Sequence, residues 1–110
     1  MLYKVQAKII KDKMKDYFEA LTHGNIEMQK PDGSFIIKAM KDACMIDDET
    51  ITWYEACYCC TPFQHERETV YDDYLYDFKT KLVYEVKDDI QGDSFWSYLE
   101  EVYYEEAYSY

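Results

Sequence analysis

Residues 50–59 read Thr-Ile-Thr-Trp-Tyr-Glu-Ala-Cys-Tyr-Cys, and no other stretch limits the fold as tightly. β-Branched and aromatic residues run through it, with apolar side chains on both faces. Such residues fit a pleated surface, and a strand apolar on both faces has to be covered on both sides. The pattern therefore predicts a central strand. Directly after it, Thr61-Pro62-Phe63-Gln64 has the form of a helix start. Threonine stands as the N-cap, proline at the first helical position, and Gln64 completes a capping box. A central strand feeding a helix is expected near the middle of the chain.

The flanking segments supply partners for that strand. Residues 2–10 alternate, with Tyr3, Val5, Ala7 and Ile9 on one side and Lys4, Gln6 and Lys8 on the other. This is a half-buried strand with a wet lysine face. Met14, Tyr17, Phe18 and Leu21 then form one apolar stripe on a helix over residues 12–22, with Gly24 at its C-cap. Pro31-Asp32-Gly33 is a turn, and Ser34 is expected to cap a second helix with Ile36, Ala39, Met40 and Ala43 inward. Phe35 and Ile37 widen that apolar face, so this helix is expected to be well buried. Asp47-Asp48-Glu49 reads as an exposed loop.

The third helix is expected to run to about Phe78, with Val70, Tyr71, Tyr74, Leu75 and Phe78 on its inner face. Its outer face then holds Glu66, Glu68, Asp72, Asp73 and Asp77. Residues 81–86 read as a short edge strand whose lysines discourage further pairing. Gly92 breaks the pattern, and Asp93 or Ser94 caps a last helix holding Phe95, Leu99, Val102 and Tyr103. The expected fold is a single α+β domain over residues 1–110, in the order β-α-α-β-α-β-α. It has about four helices and a sheet of three strands, or four. The order loosely resembles the ferredoxin-like arrangement.

Charge bounds the partners. The chain has 23 acidic and 12 basic residues, a net of −11, and residues 42–110 carry −14 against +3 for residues 1–41. Such a field repels nucleic acid and anionic membrane, and attracts basic protein surfaces. The N-terminus lacks the apolar core of a signal peptide, and no apolar run approaches the ~20 residues that span a bilayer. Cytoplasm is the expected compartment, with reduced thiols.

Three of the four cysteines and one of the two histidines crowd the strand–helix junction. Cys57, Cys59, Cys60 and His65 are zinc-type ligands, but a strand sends Cys57 and Cys59 to one face and Cys60 to the other. With no second pair of ligands, core packing is the better account and no metal or other cofactor is expected. Cys60 lies just before the helix N-terminus, where the dipole favours a thiolate, and His65 one turn on is within reach. That Cys60–His65 pair is the one candidate for nucleophilic catalysis. Arg67, the only arginine, is placed to pair with Glu66, Glu68, or Glu55 and Tyr71.

Nine of the 13 tyrosines fall at or after Tyr71, mixed with the acids. Tyrosine gives stiff contact area with a polar tip, and carboxylates on a rigid helix can stand in for phosphates. The leading expectation is a non-enzymatic interaction protein that docks on a basic protein surface and blocks a nucleic-acid-binding protein by mimicry. Glu66, Glu68, Asp72, Asp73, Asp77, Glu100 and Glu101 would carry its charge, and Tyr76, Tyr98 and Tyr104 its contact area. The alternative is a small α+β enzyme or ligand-binding module, a homodimer, with a Cys/His pocket at the 57–65 junction.

Overall fold

The computed structural model describes residues 1–58 and 61–108, with side chains through residue 104. Among them, five strands form one antiparallel sheet in the order β4-β1-β3-β2-β5. The strands are β1 (Leu2–Ile9), β2 (Cys44–Met45), β3 (Thr50–Ala56), β4 (Leu75–Val83) and β5 (Asp93–Ser94). Four helices accompany them, besides a 3-10 turn at Lys11–Lys13. These are α1 (Met14–Thr22), α2 (Gly33–Asp42), α3 over residues 64–74, and α4 (Phe95–Tyr108).

β1 and β3 are the inner pair, which the apolar run at residues 50–59 called for. Their register sets Val5 opposite Trp53, Ala7 opposite Ile51 and Tyr3 opposite Glu55. Residues directly opposite share a face. Val5, Ala7, Ile51 and Trp53 are all buried beneath the helices. Lys4 points to the other face, where its Nζ lies 3.0 Å from Asp89.

The α1 stripe is buried as its spacing required, and Gly24 beyond it adopts φ +88, a conformation that favours glycine. Ile36, Ala39, Met40 and Ala43 are buried on α2 as expected. Ser34, expected to cap this helix, lies inside its first turn. Phe35 sits off the buried stripe and is 60% exposed, so that helix is less covered than its composition suggested. Ser94 does cap α4, accepting a hydrogen bond from the Ser97 N–H at 3.2 Å.

Three expectations are corrected. The sheet has five strands, because two-residue segments at Cys44 and Asp93 pair at its far edge. Pieces that short carry no alternation to read. Secondly, the third helix ends at Tyr74, and Leu75 begins a strand that runs to Val83 in place of the one expected over residues 81–86. Leu75 and Phe78 fit helical spacing, yet Phe78 reaches the core another way. A register shift opposite Gln6–Lys8, with Asp77 at φ 51, re-aims the strand there. Phe78 then packs on Trp53, Phe63 and Tyr71. Thirdly, Thr61 and Pro62 form a turn before α3 rather than its first turn. Phe63 follows at φ 60, fully buried, and the helix starts at Gln64. A bulky residue at positive φ is a strained conformation that its surroundings must hold in place. Contacts from Tyr3 and Phe78 do so.

α3 is irregular throughout. An α turn at Gln64–Glu66 passes into a π turn at Arg67–Tyr71 and back to α at Asp72–Tyr74. The wider turn shifts the phase of the helix, and single π turns often mark functional sites. It also brings residues five apart together, so Arg67 pairs with Asp72 at 3.1 Å rather than with the partners its sequence neighbours offered.

Candidate functional site: a buried carboxyl pair on an open cavity

On its β3 side, β2 pairs only with Ile51 and Thr52. Beyond them, the outer edge of β3 faces α2 across a gap, which opens as a cavity of about 840 Å³. Leu2, Phe35, Ala39, Ala56 and Val86 form its apolar wall; Asp32, Cys57, Glu55 and Glu66 add polar groups on one side, with Lys38, Asp42, Tyr54 and Tyr58 completing the lining. A volume of this order suits a small organic molecule.

Glu55 and Glu66 are 8% and 6% exposed. Glu55 is on the covered side of the sheet because it continues the Ile51, Trp53 alternation. Its Oε1 accepts hydrogen bonds from Trp53 Nε1 at 2.8 Å and from the Tyr71 hydroxyl at 2.9 Å. Glu66 is turned inward on the α turn that precedes the π turn. Burial, the hydrogen bond to Glu55 and the charge of Glu55 push its carboxyl up to about 10. Burial also raises Glu55, while hydrogen bonds from Glu66, Trp53 and Tyr71 work against the rise. Two carboxyls this close and this dry cannot both ionise, so the pair keeps a proton at neutral pH. Burial likewise holds Tyr17 and Tyr71 well above the usual phenol range.

Several neighbours frame the pair. His65 Nδ1 contacts Asp32 Oδ2, joining α3 to the turn before α2. Cys57 Sγ accepts the Phe63 N–H at 3.2 Å, so the strained residue is tied to the end of β3. Among the described residues, and apart from the bond between the two carboxyls, no donor reaches Glu55 Oε2 or Glu66 Oε2, and the Tyr17 hydroxyl is buried without a hydrogen-bond partner.

The residues singled out in the sequence are dispersed by the fold. Glu68, Asp72 and Asp73 are exposed on α3, whereas Glu66, assigned with them to an outer face, is buried. Asp77 stands on β4, beside Lys79 at 3.6 Å. Tyr76 and Tyr104 are exposed, Tyr98 and Glu100 half-buried, and Glu101 exposed. α1 lies between the two acidic helices, with Tyr17 stacked on Tyr74 of α3 and Phe18 against Trp96 of α4. Cys57 lines the cavity and His65 contacts Asp32 of its lining, but Cys59 and Cys60 lie outside the described residues. The four-donor cluster and the Cys60–His65 pair therefore lie partly outside them as well. Glu55 was not read as a site residue. Its signal was present: a carboxylate in the inward register of a strand covered on both faces.

No protein-family model matches the chain, and no curated protein or solved structure matches it. Its class rests on its own features: a small α+β protein with an antiparallel sheet and a carboxyl pair set in a cavity at the sheet edge. Among the described residues, no group of three or more His, Cys, Asp or Glu side chains is placed to hold a metal ion. No described helix is long and apolar enough to cross a membrane.

Proposed function

We propose that this protein is a ligand-binding module whose pocket is the cavity between β3 and α2. The observation that carries this reading is a pair of buried carboxyls opening onto a space of about 840 Å³. Isolated buried charges are expensive, and perturbed acids in a cleft mark functional sites more often than structural ones. The strained Phe63 and the π turn flank the same place. Glu66, protonated near neutral pH, supplies a hydrogen-bond donor or a general acid, and Glu55 an acceptor held by two donors. We read the first four strands as a ferredoxin-like split β-α-β core, with β5 and α4 appended to it.

A small-fragment screen by two-dimensional NMR tests this. Shifted amides are expected to cluster around Phe35, Ala56, Glu66 and Val86. Ala56 is exposed at the mouth, so Ala56→Trp should fill the cavity and weaken the best fragment at least ten-fold with the spectrum elsewhere unchanged. Undiminished binding to Ala56→Trp, or shifts scattered away from the cavity, would remove the pocket as the site.

A second reading keeps the acidic docking surface. It is favoured by Glu68, Asp72 and Asp73, which all stand exposed on α3 of a chain with net charge −11. A basic partner captured through this face should be lost steeply between low and physiological salt, because exposed charges are screened over about 8 Å. Triple substitution of these acids by Asn and Gln should abolish capture. A partner held equally at high salt, or by the triple variant, argues against docking through α3.

A further inference from the structure

The carboxyl pair also says what the pocket should select. Glu55 and Glu66 line the cavity, and apart from the hydrogen bond that joins the two carboxyls no N–H or O–H donor among the described residues is directed at the buried Glu55 Oε2 or Glu66 Oε2. The proton shared between the two carboxyls is the one hydrogen held there. The only lysine on the cavity wall, Lys38, has its Nζ 3.1 Å from Asp42 Oδ2. Asp32 adds a further carboxylate to the lining. An anion entering here meets the carboxyl groups of Asp32, Glu55 and Glu66. A neutral molecule can satisfy one acceptor. An ammonium group brings three N–H donors and a positive charge, which matches the two carboxylates left when the shared proton departs. Leu2, Ala39, Ala56 and Val86 supply an apolar wall suited to a hydrocarbon or aromatic body.

Resting on the pocket reading above, we infer that the ligand is an organic amine, bound as its ammonium ion against Glu55 and Glu66 with its apolar body along α2. Binding is an exchange of cations. The Glu66 O–H bond breaks, its proton leaves to solvent, and the ammonium N–H groups take its place between two carboxylates. The other titratable groups facing the pair are Tyr17 from α1, Asp32 before α2, Cys57 after β3 and Tyr71 from α3. Lys38 and Asp42 of α2 stand on the same wall, paired with each other. Both tyrosines are held neutral by burial, so the proton released comes from the carboxyl pair.

Calorimetry with phenylpropylamine, phenylpropanol and phenylpropionate separates the possibilities, because the body is constant and the head is cationic, neutral or anionic. Titrations are run in two buffers of different ionisation enthalpy. The amine should bind at least ten-fold more tightly than the alcohol, and the carboxylate weakest of all. Amine binding should release close to one proton and tighten nearly ten-fold per unit of pH between about pH 6 and 8. Glu66→Gln, with its fold checked by circular dichroism, should abolish both the proton release and the pH dependence. If the alcohol binds as well as the amine, or amine binding releases no proton, the amine inference is overturned while the pocket stands. If none of the three binds at millimolar concentration, the amine inference falls; a silent fragment screen beside it takes the pocket reading with it.

Discussion

Glu66→Gln should gain about 2–3 kcal/mol on the wild-type protein between pH 6 and pH 8, and have almost the same stability as wild type near pH 4.5. The Glu66 carboxyl is raised from 4.5 to about 10 in the folded chain. The folded state therefore holds this proton more tightly than the unfolded state does. Below pH 4.5 both states are protonated and the contribution is fully present. As pH rises from there, the unfolded chain gives up its proton first, and stability falls until the folded pKa is passed. One titrating proton corresponds to about 1.4 kcal/mol per pH unit, so the loss from pH 6 to 8 is about 2–3 kcal/mol. Self-repulsion in a chain of net charge −11 acts in the same direction. Glutamine keeps the shape of the neutral acid, can still donate to Glu55, and has no proton to lose. Urea denaturation at a series of pH values measures this directly. Parallel stability curves for the two proteins, or a variant weaker at pH 8, would show that Glu66 is not held protonated. Glu68→Gln, on the exposed side of the same helix, should change stability by less than about 0.5 kcal/mol at any pH in the series.

Trp53→Ala should cost about 3–5 kcal/mol from lost burial and the cavity left behind. Trp53 is 1% exposed, and its ring meets Tyr71 and Phe78 at centroid distances of 5.5 and 5.9 Å. It also supplies the 2.8 Å hydrogen bond to Glu55 Oε1. Removing a donor from a buried acceptor adds about 1–3 kcal/mol. Against a typical domain stability of about 5–15 kcal/mol, this leaves little margin. Trp53→Phe divides the two contributions, since it keeps an aromatic ring and loses only the donor and some volume. It should fall clearly between wild type and alanine in guanidinium denaturation. An alanine variant within about 1 kcal/mol of wild type would contradict the placement of Trp53 at the centre of the aromatic core.

Much of the fold is legible along the chain wherever burial is periodic. Tyr17, Phe18 and Leu21 on α1 and Ile36, Ala39 and Met40 on α2 lie where their helical spacing puts them. Val5, Ala7 and Ile9 do the same for a strand. Reading falters where two periods agree over a short span. Tyr71, Tyr74, Leu75 and Phe78 satisfy a helix, and only the bulge at Asp77 lets the last two serve a strand with the same inward direction. The capping signal at Thr61 was outweighed by Phe63, whose burial against Tyr3 and Phe78 holds a backbone that a regular helix start would not adopt.

The site divides along the same line. Composition and pattern by themselves determined the central strand at residues 50–56, the turn into a helix, and the concentration of acid in the second part of the chain. They also set Trp53 and Glu55 on one face, because side chains in a strand alternate with period two. Only the tertiary structure decided that Glu66 turns inward to meet Glu55. That meeting depends on the phase of α3, which the π turn resets, and on β2 beginning only at Cys44, after α2, so that the edge of β3 beyond Thr52 stays open beside α2. Side-chain periodicity is a local property, whereas the direction of a helix face across an irregular turn is set by what the helix packs against.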